Sequence, residues 1–186
     1  YGLTDTSSVG FAFSGTKQDL DMKNGASADG DAFYFGLYRN DTFNNIDLTT
    51  GLGYMIDRVD AENFIGKDKF DSTALSGYIQ GKYNYAIGEN LTLSPILRFD
   101  NSSLFGSNLS ASLGMTYNVN GNTHRRFKAN VGTGYTEPGM GELWYNWEMY
   151  ASNPVGIGVA KLGWYWAGNP NLKPEKSVNF DMSLEG

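Results

Sequence analysis

The sequence predicts an all-β protein: an up-and-down antiparallel transmembrane β-barrel of about eight strands, or an eight-strand section of a larger barrel. Three observations predict this fold. Apolar and polar residues alternate with a period of two along most of the 186 residues. The segments that alternate are joined by long and short connections in turn. The polar face holds mainly Gly, Ser, Thr and Asn, which suits a water-lined lumen better than a surface in bulk water.

Eight segments carry the period-two pattern, and each apolar series faces one side of its predicted strand. The apolar positions, in chain order, are Val9, Phe11 and Phe13; Phe33, Phe35 and Leu37; Ile46, Leu48, Leu52, Tyr54 and Ile56; Leu75, Ile79, Tyr83, Tyr85 and Ile87; Leu91, Leu93, Pro95, Leu97 and Phe99; Leu109, Ala111, Leu113, Met115, Tyr117 and Val119; Phe127, Ala129, Val131 and Tyr135; and Val178, Phe180, Met182 and Leu184. No segment shows the 3.6-residue period of a helix, and we predict none.

The lengths of the connections indicate which end of the barrel is which. In chain order they are long (about 15–31), short (40–45), long (58–71), short (88–90), medium (101–107), short (120–123) and very long (136–176). Outer-membrane barrels have short periplasmic turns and longer extracellular loops. The sequence therefore predicts that the long connections lie together on the extracellular side.

Composition excludes several classes of function. The formal net charge is -6, so a basic stripe for nucleic acid is absent from the sequence. Cysteine is absent, which excludes disulfides and thiol chemistry. The single histidine, His124, lies beside a short connection, and we interpret it as a turn residue. Because no histidine-based triad is available near the long loops, we predict that the protein is not an enzyme. We also predict no metal site and no cofactor.

The stretch 136–176 is the most unusual connection, because it contains all four tryptophans. A loop of roughly 40 residues is rare in compact domains and usually functional. Its rings can stack on a flat ligand, such as a porphyrin or a catecholate iron chelate. Two alternatives are an interfacial belt at the headgroups and packing of the loop over the barrel mouth. The candidate ligand contacts are Glu142, Trp144, Tyr145, Trp147, Tyr150, Trp164, Tyr165 and Trp166.

Two groups of charged residues have simpler interpretations. Charges on the polar face of the strands are expected to pair with each other or with a plug; they are Arg98, Asp100, Arg126, Lys128 and Asp181. Acidic residues near the second long connection do not have the spacing of a calcium loop, and we interpret them as solvated; they are Asp57, Asp60, Glu62, Asp68 and Asp71.

Sequence boxes in the second half carry a resemblance to a known family. The chain from about Asn90 contains LTLSPILRFDNSSLFG, FKANVGTGYTEP and GNPNLKPEKSVNFDMSLE. This part resembles the barrel of TonB-dependent outer-membrane receptors, in which two short boxes flank a long extracellular loop. The first box is Tyr135, Thr136, Glu137 and Pro138; the second is Asn169, Pro170, Asn171, Leu172, Lys173, Pro174 and Glu175. We expect the prolines to fix where the strands stop.

The resemblance implies a protein of the bacterial outer membrane that takes up an iron chelate or haem. Its partners would be membrane lipid, the ligand, and a plug domain and TonB only if the chain is part of a larger receptor. Residues 1–186 hold no plug domain, so we expect a single barrel domain or a barrel fragment. In the haem-uptake branch a histidine lies between the two boxes, and here none does.

The first half offers a second resemblance. DMKNGASADGDAFYFGLYRND and ALSGYIQGKYNYAIGENLTLSPIL, within residues 1–100, are similar to the strands of autotransporter translocator barrels. Such a barrel would export a passenger instead of importing a ligand. A third alternative is a small structural or engineered barrel without transport activity.

Overall fold

The structure, a computed structural model, describes residues 2–4, 6–21, 27–61, 69–85, 90–119, 124–151 and 162–186. It is built from strands with one short helix. The elements are β1 (Gly2–Thr4), β2 (Ser7–Asp21), β3 (Ser27–Phe43), β4 (Ile46–Ala61), β5 (Lys69–Tyr85), β6 (Leu91–Ser102), β7 (Gly106–Asn118), β8 (Arg126–Thr136), α1 (Met140–Trp144), β9 (Asn146–Ala151), β10 (Leu162–Ala167) and β11 (Glu175–Glu185). Within these ranges, no helix is long and apolar enough to cross a bilayer.

Nine strands form one antiparallel sheet in the order β1-β2-β3-β4-β5-β6-β7-β8-β11. Sequence neighbours are spatial neighbours from β1 to β8, and β11 follows β8 after the separate β9–β10 pair. The sheet is therefore an up-and-down meander, and the eight predicted strands β2 to β8 and β11 are confirmed. The sheet is open, with β1 and β11 at its edges. The structure therefore shows a section of a barrel wall.

The register brings the apolar residues of all strands to one face, here called the outer face. One row across the sheet runs through Phe11, Leu37, Leu52, Gly77, Phe99 and Leu109. Phe11 is 70% exposed and Leu109 is 63% exposed, although both are large and apolar. Large apolar side chains are exposed on this face because it contacts the hydrocarbon of a bilayer and not water.

The opposite face, here called the inner face, interleaves tyrosines with glycines. Tyr38 lies opposite Gly10, and Tyr78 lies opposite Gly51. A Cβ atom at either glycine would overlap the ring of its tyrosine. The rings lie flat across the neighbouring backbone, and only glycine leaves them that space.

Two expected loops are largely strand. In the connection 15–31, β2 continues to Asp21 and β3 begins at Ser27; in the connection 58–71, β4 continues to Ala61 and β5 begins at Lys69. These hairpins extend beyond the apolar band. There both faces of a strand meet water, so the apolar alternation that reveals a strand disappears although the hydrogen bonds persist.

Charged pairs cross between the two strands of the second extension. Lys69 Nζ lies 2.6 Å from Asp60, and Arg58 lies 3.7 Å from Asp71. Of the residues interpreted as a solvated acidic loop, Asp57, Asp60 and Asp71 therefore lie on strands. Glu62 and Asp68 lie outside the described residues.

Candidate functional site

The stretch 136–176 is not one continuous loop in the structure. It holds α1 and a hairpin of β9 and β10, which pair antiparallel. β8 and β11 pair through to Thr136 opposite Glu175. The two family boxes therefore meet at the end of the same strand pair, and the described residues between them connect to the sheet at that one place.

The helix α1 is held by its own cap. The Gly139 N–H donates to Glu142 Oε2 at 2.9 Å, while the Glu142 N–H donates to the Gly139 carbonyl at 3.0 Å. This reciprocal arrangement starts the helix in the manner of a capping box. The carboxylate of Glu142, which we predicted as a ligand contact, therefore caps the beginning of α1.

Gly168 docks the returning chain directly onto α1. Its N–H donates to the Tyr145 carbonyl at 2.5 Å, and the Asn169 N–H donates to the Glu142 carbonyl at 2.9 Å. A Cβ atom at Gly168 would lie 2.7 Å from the Leu143 carbonyl carbon. Only glycine permits this approach. Leu143 itself is 2% exposed, which makes it the best-buried large side chain of the described residues.

The second box shapes the turn that leads into β11. The Asn169 side-chain oxygen accepts a hydrogen bond from the Asn171 N–H at 3.0 Å, and the Leu172 N–H donates to the Asn169 carbonyl at 3.1 Å. In the first box, Tyr135 Oη donates to Glu137 Oε1 at 3.1 Å. Apart from the bond from the Asn169 N–H to α1, these contacts join residues of a box to one another.

Trp144 connects this region to a different part of the wall. Its ring stacks on Phe70 with 3.9 Å between centroids and 16° between planes. Phe70 lies at the beginning of β5, beside the other long connection. The stack joins α1 to β5. It is a packing contact that the sequence pattern did not indicate.

Of the remaining candidate residues, Tyr145 joins α1 to β9, and the others lie on the hairpin. The register pairs Trp147 with Trp166, Met149 with Trp164 and Glu148 with Tyr165. Tyr150 is opposite Gly163. The structure therefore gathers the eight candidate residues into α1 and the adjoining hairpin, here called the aromatic segment (139–151 and 162–168).

Of the five charged residues expected to pair on the inner face, Arg98, Asp100, Arg126 and Lys128 lie in ion pairs. Arg98 binds Asp100 through three contacts of 2.6–2.9 Å. Glu185 accepts from Lys128 at 2.5 Å and lies 2.8 Å from Arg126. The Glu185 contacts join β11 to β8, whereas the Arg98–Asp100 pair lies within β6.

Asp181 and the single histidine occupy different surroundings. Asp181 lies opposite Asn130 in a hollow of about 300 Å³ on the inner face. His124 precedes β8 at the end where the Val119 N–H donates to the Arg125 carbonyl at 2.8 Å. That end is opposite the aromatic segment, so His124 is a full strand length away from it.

Comparison with known proteins gives the family. A family model described as "TonB dependent receptor-like, beta-barrel" matches residues 1–185. It covers residues 1–100 as well, the half that resembles an autotransporter barrel.

Three curated relatives match part of the chain. The vitamin B12 transporter BtuB of Photobacterium profundum is 28% identical over 120 residues, or 64% of this chain and 16% of the relative. The probable TonB-dependent siderophore receptor PirA of Acinetobacter baumannii is 31% identical over 122 residues (64% and 15%). The ferric enterobactin receptor PirA of Pseudomonas aeruginosa is 28% identical over 136 residues (67% and 18%). The chain thus spans about a sixth of the length of these relatives.

Solved structures share the fold. The siderophore receptor PirA from Pseudomonas aeruginosa superposes with a TM-score of 0.81 at 19% identity, covering 97% of this chain and 34% of that one. PirA from Acinetobacter baumannii gives a TM-score of 0.68 at 22% identity, covering 96% and 30%. From the family match and the shared architecture, we conclude that this chain belongs to the β-barrel family of the TonB-dependent receptors, proteins of the bacterial outer membrane.

Proposed function

We propose that this chain is one section of a complete receptor that takes up a ferric siderophore, and that the aromatic segment contributes to its capture. The observation that carries the proposal is the set of contacts that attach this segment to the sheet. Hydrogen bonds at Gly168 and Asn169 and the stack of Trp144 on Phe70 hold it at the extracellular end of the wall. A segment whose backbone is already held in place loses little conformational freedom when a ligand binds.

The chemistry of the segment suits a catecholate chelate. Catechol rings are flat, and an aromatic pair contributes about 0.5–1.5 kcal/mol beyond the area it buries. Trp147 and Trp166 are directly opposite each other on the hairpin, with Trp164 two positions away. Relatives named as siderophore and ferric enterobactin receptors support this ligand class.

A cobalamin is the second candidate. The match to the vitamin B12 transporter BtuB covers 64% of this chain, and a corrin ring is also a large flat ligand. Haem is a third ligand to be compared, although residues 136–176 contain no histidine to bind its iron. In each case passage would depend on a plug domain and TonB acting with the complete receptor.

Calorimetric titration of the complete receptor in detergent tests the proposal. We expect saturable binding of ferric enterobactin. Trp147→Ala and Trp166→Ala should each weaken it about tenfold, which corresponds to about 1.4 kcal/mol. The matched variants Trp147→Phe and Trp166→Phe keep a ring and should bind within about threefold of the wild type.

Parallel titrations with cyanocobalamin and haemin separate the ligand classes. Tight binding of either one, together with no binding of the catecholate, would refute the siderophore proposal. Alanine variants that bind ferric enterobactin as tightly as the wild type would instead remove the aromatic segment from the capture site.

A further inference from the structure

The outer face has a shallow groove where its apolar cover is interrupted. Gly77 and Thr50 present little side-chain bulk there, between taller neighbours such as Leu37 and Leu52. The resulting hollow has a volume of about 450 Å³ and is mostly apolar. Since this face meets the bilayer, an acyl chain is the natural filling of such a groove.

Arg39 lies at one end of this groove and is also on the outer face. Its register partner on β2 is Val9, and its partner on β4 is Thr50. The next outer position along β3 is Asp41, and the turn at Asn44 follows three residues later. Arg39 is thus about five residues, or ~16 Å along the strand, from the short-turn end.

The guanidinium of Arg39 has hydrogen-bonding capacity to spare. Its Nε–H and one Nη2–H donate to Asp41 Oδ1 at 3.0 and 2.8 Å. A guanidinium carries five N–H donors, so three have no partner among the described residues. The side chain is 52% exposed, while that of Asp41 is 9% exposed and also accepts from Ser7 Oγ at 2.5 Å.

A cation on a lipid-facing surface is costly unless it reaches the headgroups or a counter-charge. Arginine binds phosphate well because its donors match two phosphate oxygens at once. The groove places hydrocarbon space directly beside those donors. One molecule satisfies both features: a glycerophospholipid whose phosphate meets Arg39 and whose acyl chain lies in the groove.

We propose that this surface is a binding site for a single phospholipid of the leaflet at the short-turn end, which in outer-membrane barrels is the periplasmic leaflet. Arg39 binds the phosphate. Val9, Leu37, Leu52 and Gly77 form the walls and floor for one acyl chain. The site is independent of ligand capture, which occurs at the opposite end of the strands.

The chain supplies its own matched control. Arg98 and Asp100 repeat the arginine–x–aspartate pair on the inner face, with similar distances. Gly81 lies on the outer face of β5, four residues after Gly77. At both glycines a Cβ atom would lie 3.3 Å from its nearest neighbour.

Native mass spectrometry of the complete receptor in detergent, with dioleoyl phosphatidylethanolamine added, tests the site. The wild type should retain one lipid. Arg39→Gln should weaken retention about tenfold, whereas Arg98→Gln should leave it unchanged. Gly77→Val, which fills the groove, should weaken retention about as much, and Gly81→Val should not. Heat-modifiability on gels verifies that each variant is folded.

A second titration with dioleoylglycerol, which lacks the phosphate, distinguishes the two parts of the site. We expect it to bind at least tenfold more weakly than the phospholipid. Equal binding of the two lipids would overturn the role of Arg39, and equal losses in Arg39→Gln and Arg98→Gln would overturn the site. Peaks for a receptor dimer that vanish in Gly77→Val would assign the groove to a second copy of the protein instead.

Discussion

The outer and inner faces of this sheet use the same residue types in opposite ways. Arg39 and Asp41 on the outer face form an ion pair two residues apart, and Arg98 and Asp100 form the same pair on the inner face. Glycine lies beneath a tyrosine ring on the inner face at Gly51 but opens a groove to lipid at Gly77. The solvent on each side determines what such a residue contributes.

The largest effect should come from a charge placed among the apolar residues of the outer face. Phe11 and Ala12 are adjacent on β2 and point to opposite faces. Phe11→Lys should reduce the free energy of unfolding by about 2–4 kcal/mol, because it brings an ammonium into hydrocarbon. Ala12→Lys should cost less than about 1 kcal/mol, because it faces the lumen.

Denaturant unfolding of the complete receptor in lipid vesicles measures this difference. If the two variants are equally stable, the outer face is not the one in contact with lipid.

The glycines provide a second and smaller contrast. At Gly51 a methyl group would displace the Tyr78 ring, and overpacking of that kind typically costs about 1–3 kcal/mol. At Gly77 the nearest atom is the tip of Leu52, 3.3 Å away, which is able to rotate aside. Gly77→Ala should therefore lie within about 0.5 kcal/mol of the wild type.

The same unfolding experiment applies to Gly51→Ala and Gly77→Ala. In a Tyr78→Ala background, Gly51→Ala should cost less stability than it does in the wild type, because the clash is with the ring. A loss that is the same with and without the ring would show that the strain lies in the backbone.

The alternation of apolar residues was sufficient to predict the eight strands. It works because lipid on one side and a polar lumen on the other impose a period of two, as in the row from Phe11 to Leu109. It fails where both sides are wet. Lys17 to Asp21 and Ser27 to Asp31 pair in full register although no apolar pattern marks them.

The helix α1 was missed for a different reason. Its five residues are too few to show a helical period, and its stability comes from contacts distant in sequence, namely Gly168 against Leu143 and Trp144 against Phe70. One local signal was present: Glu142 follows Gly139 at the spacing of a capping box. The ring stack had no such signal, since it joins residues 74 positions apart in the sequence.

The smallest expected effect, and the most diagnostic, concerns the two ion pairs. Asp41→Asn and Asp100→Asn each leave an arginine without its carboxylate. At low salt we expect both variants to unfold at lower denaturant than the wild type, with the larger shift in Asp41→Asn, because the Asp41 side chain is 9% exposed and that of Asp100 is 21% exposed.

Salt should separate the two pairs. At ~1 M NaCl the Debye length falls to about 3 Å, and charges in contact with water are screened. The shift caused by Asp100→Asn should then shrink, because Arg98 and Asp100 face the lumen. The shift caused by Asp41→Asn should persist more strongly, because the Asp41 side chain is only 9% exposed. Unfolding midpoints at low and high salt give both values, and a shift in Asp41→Asn that disappears with salt would place that pair in water.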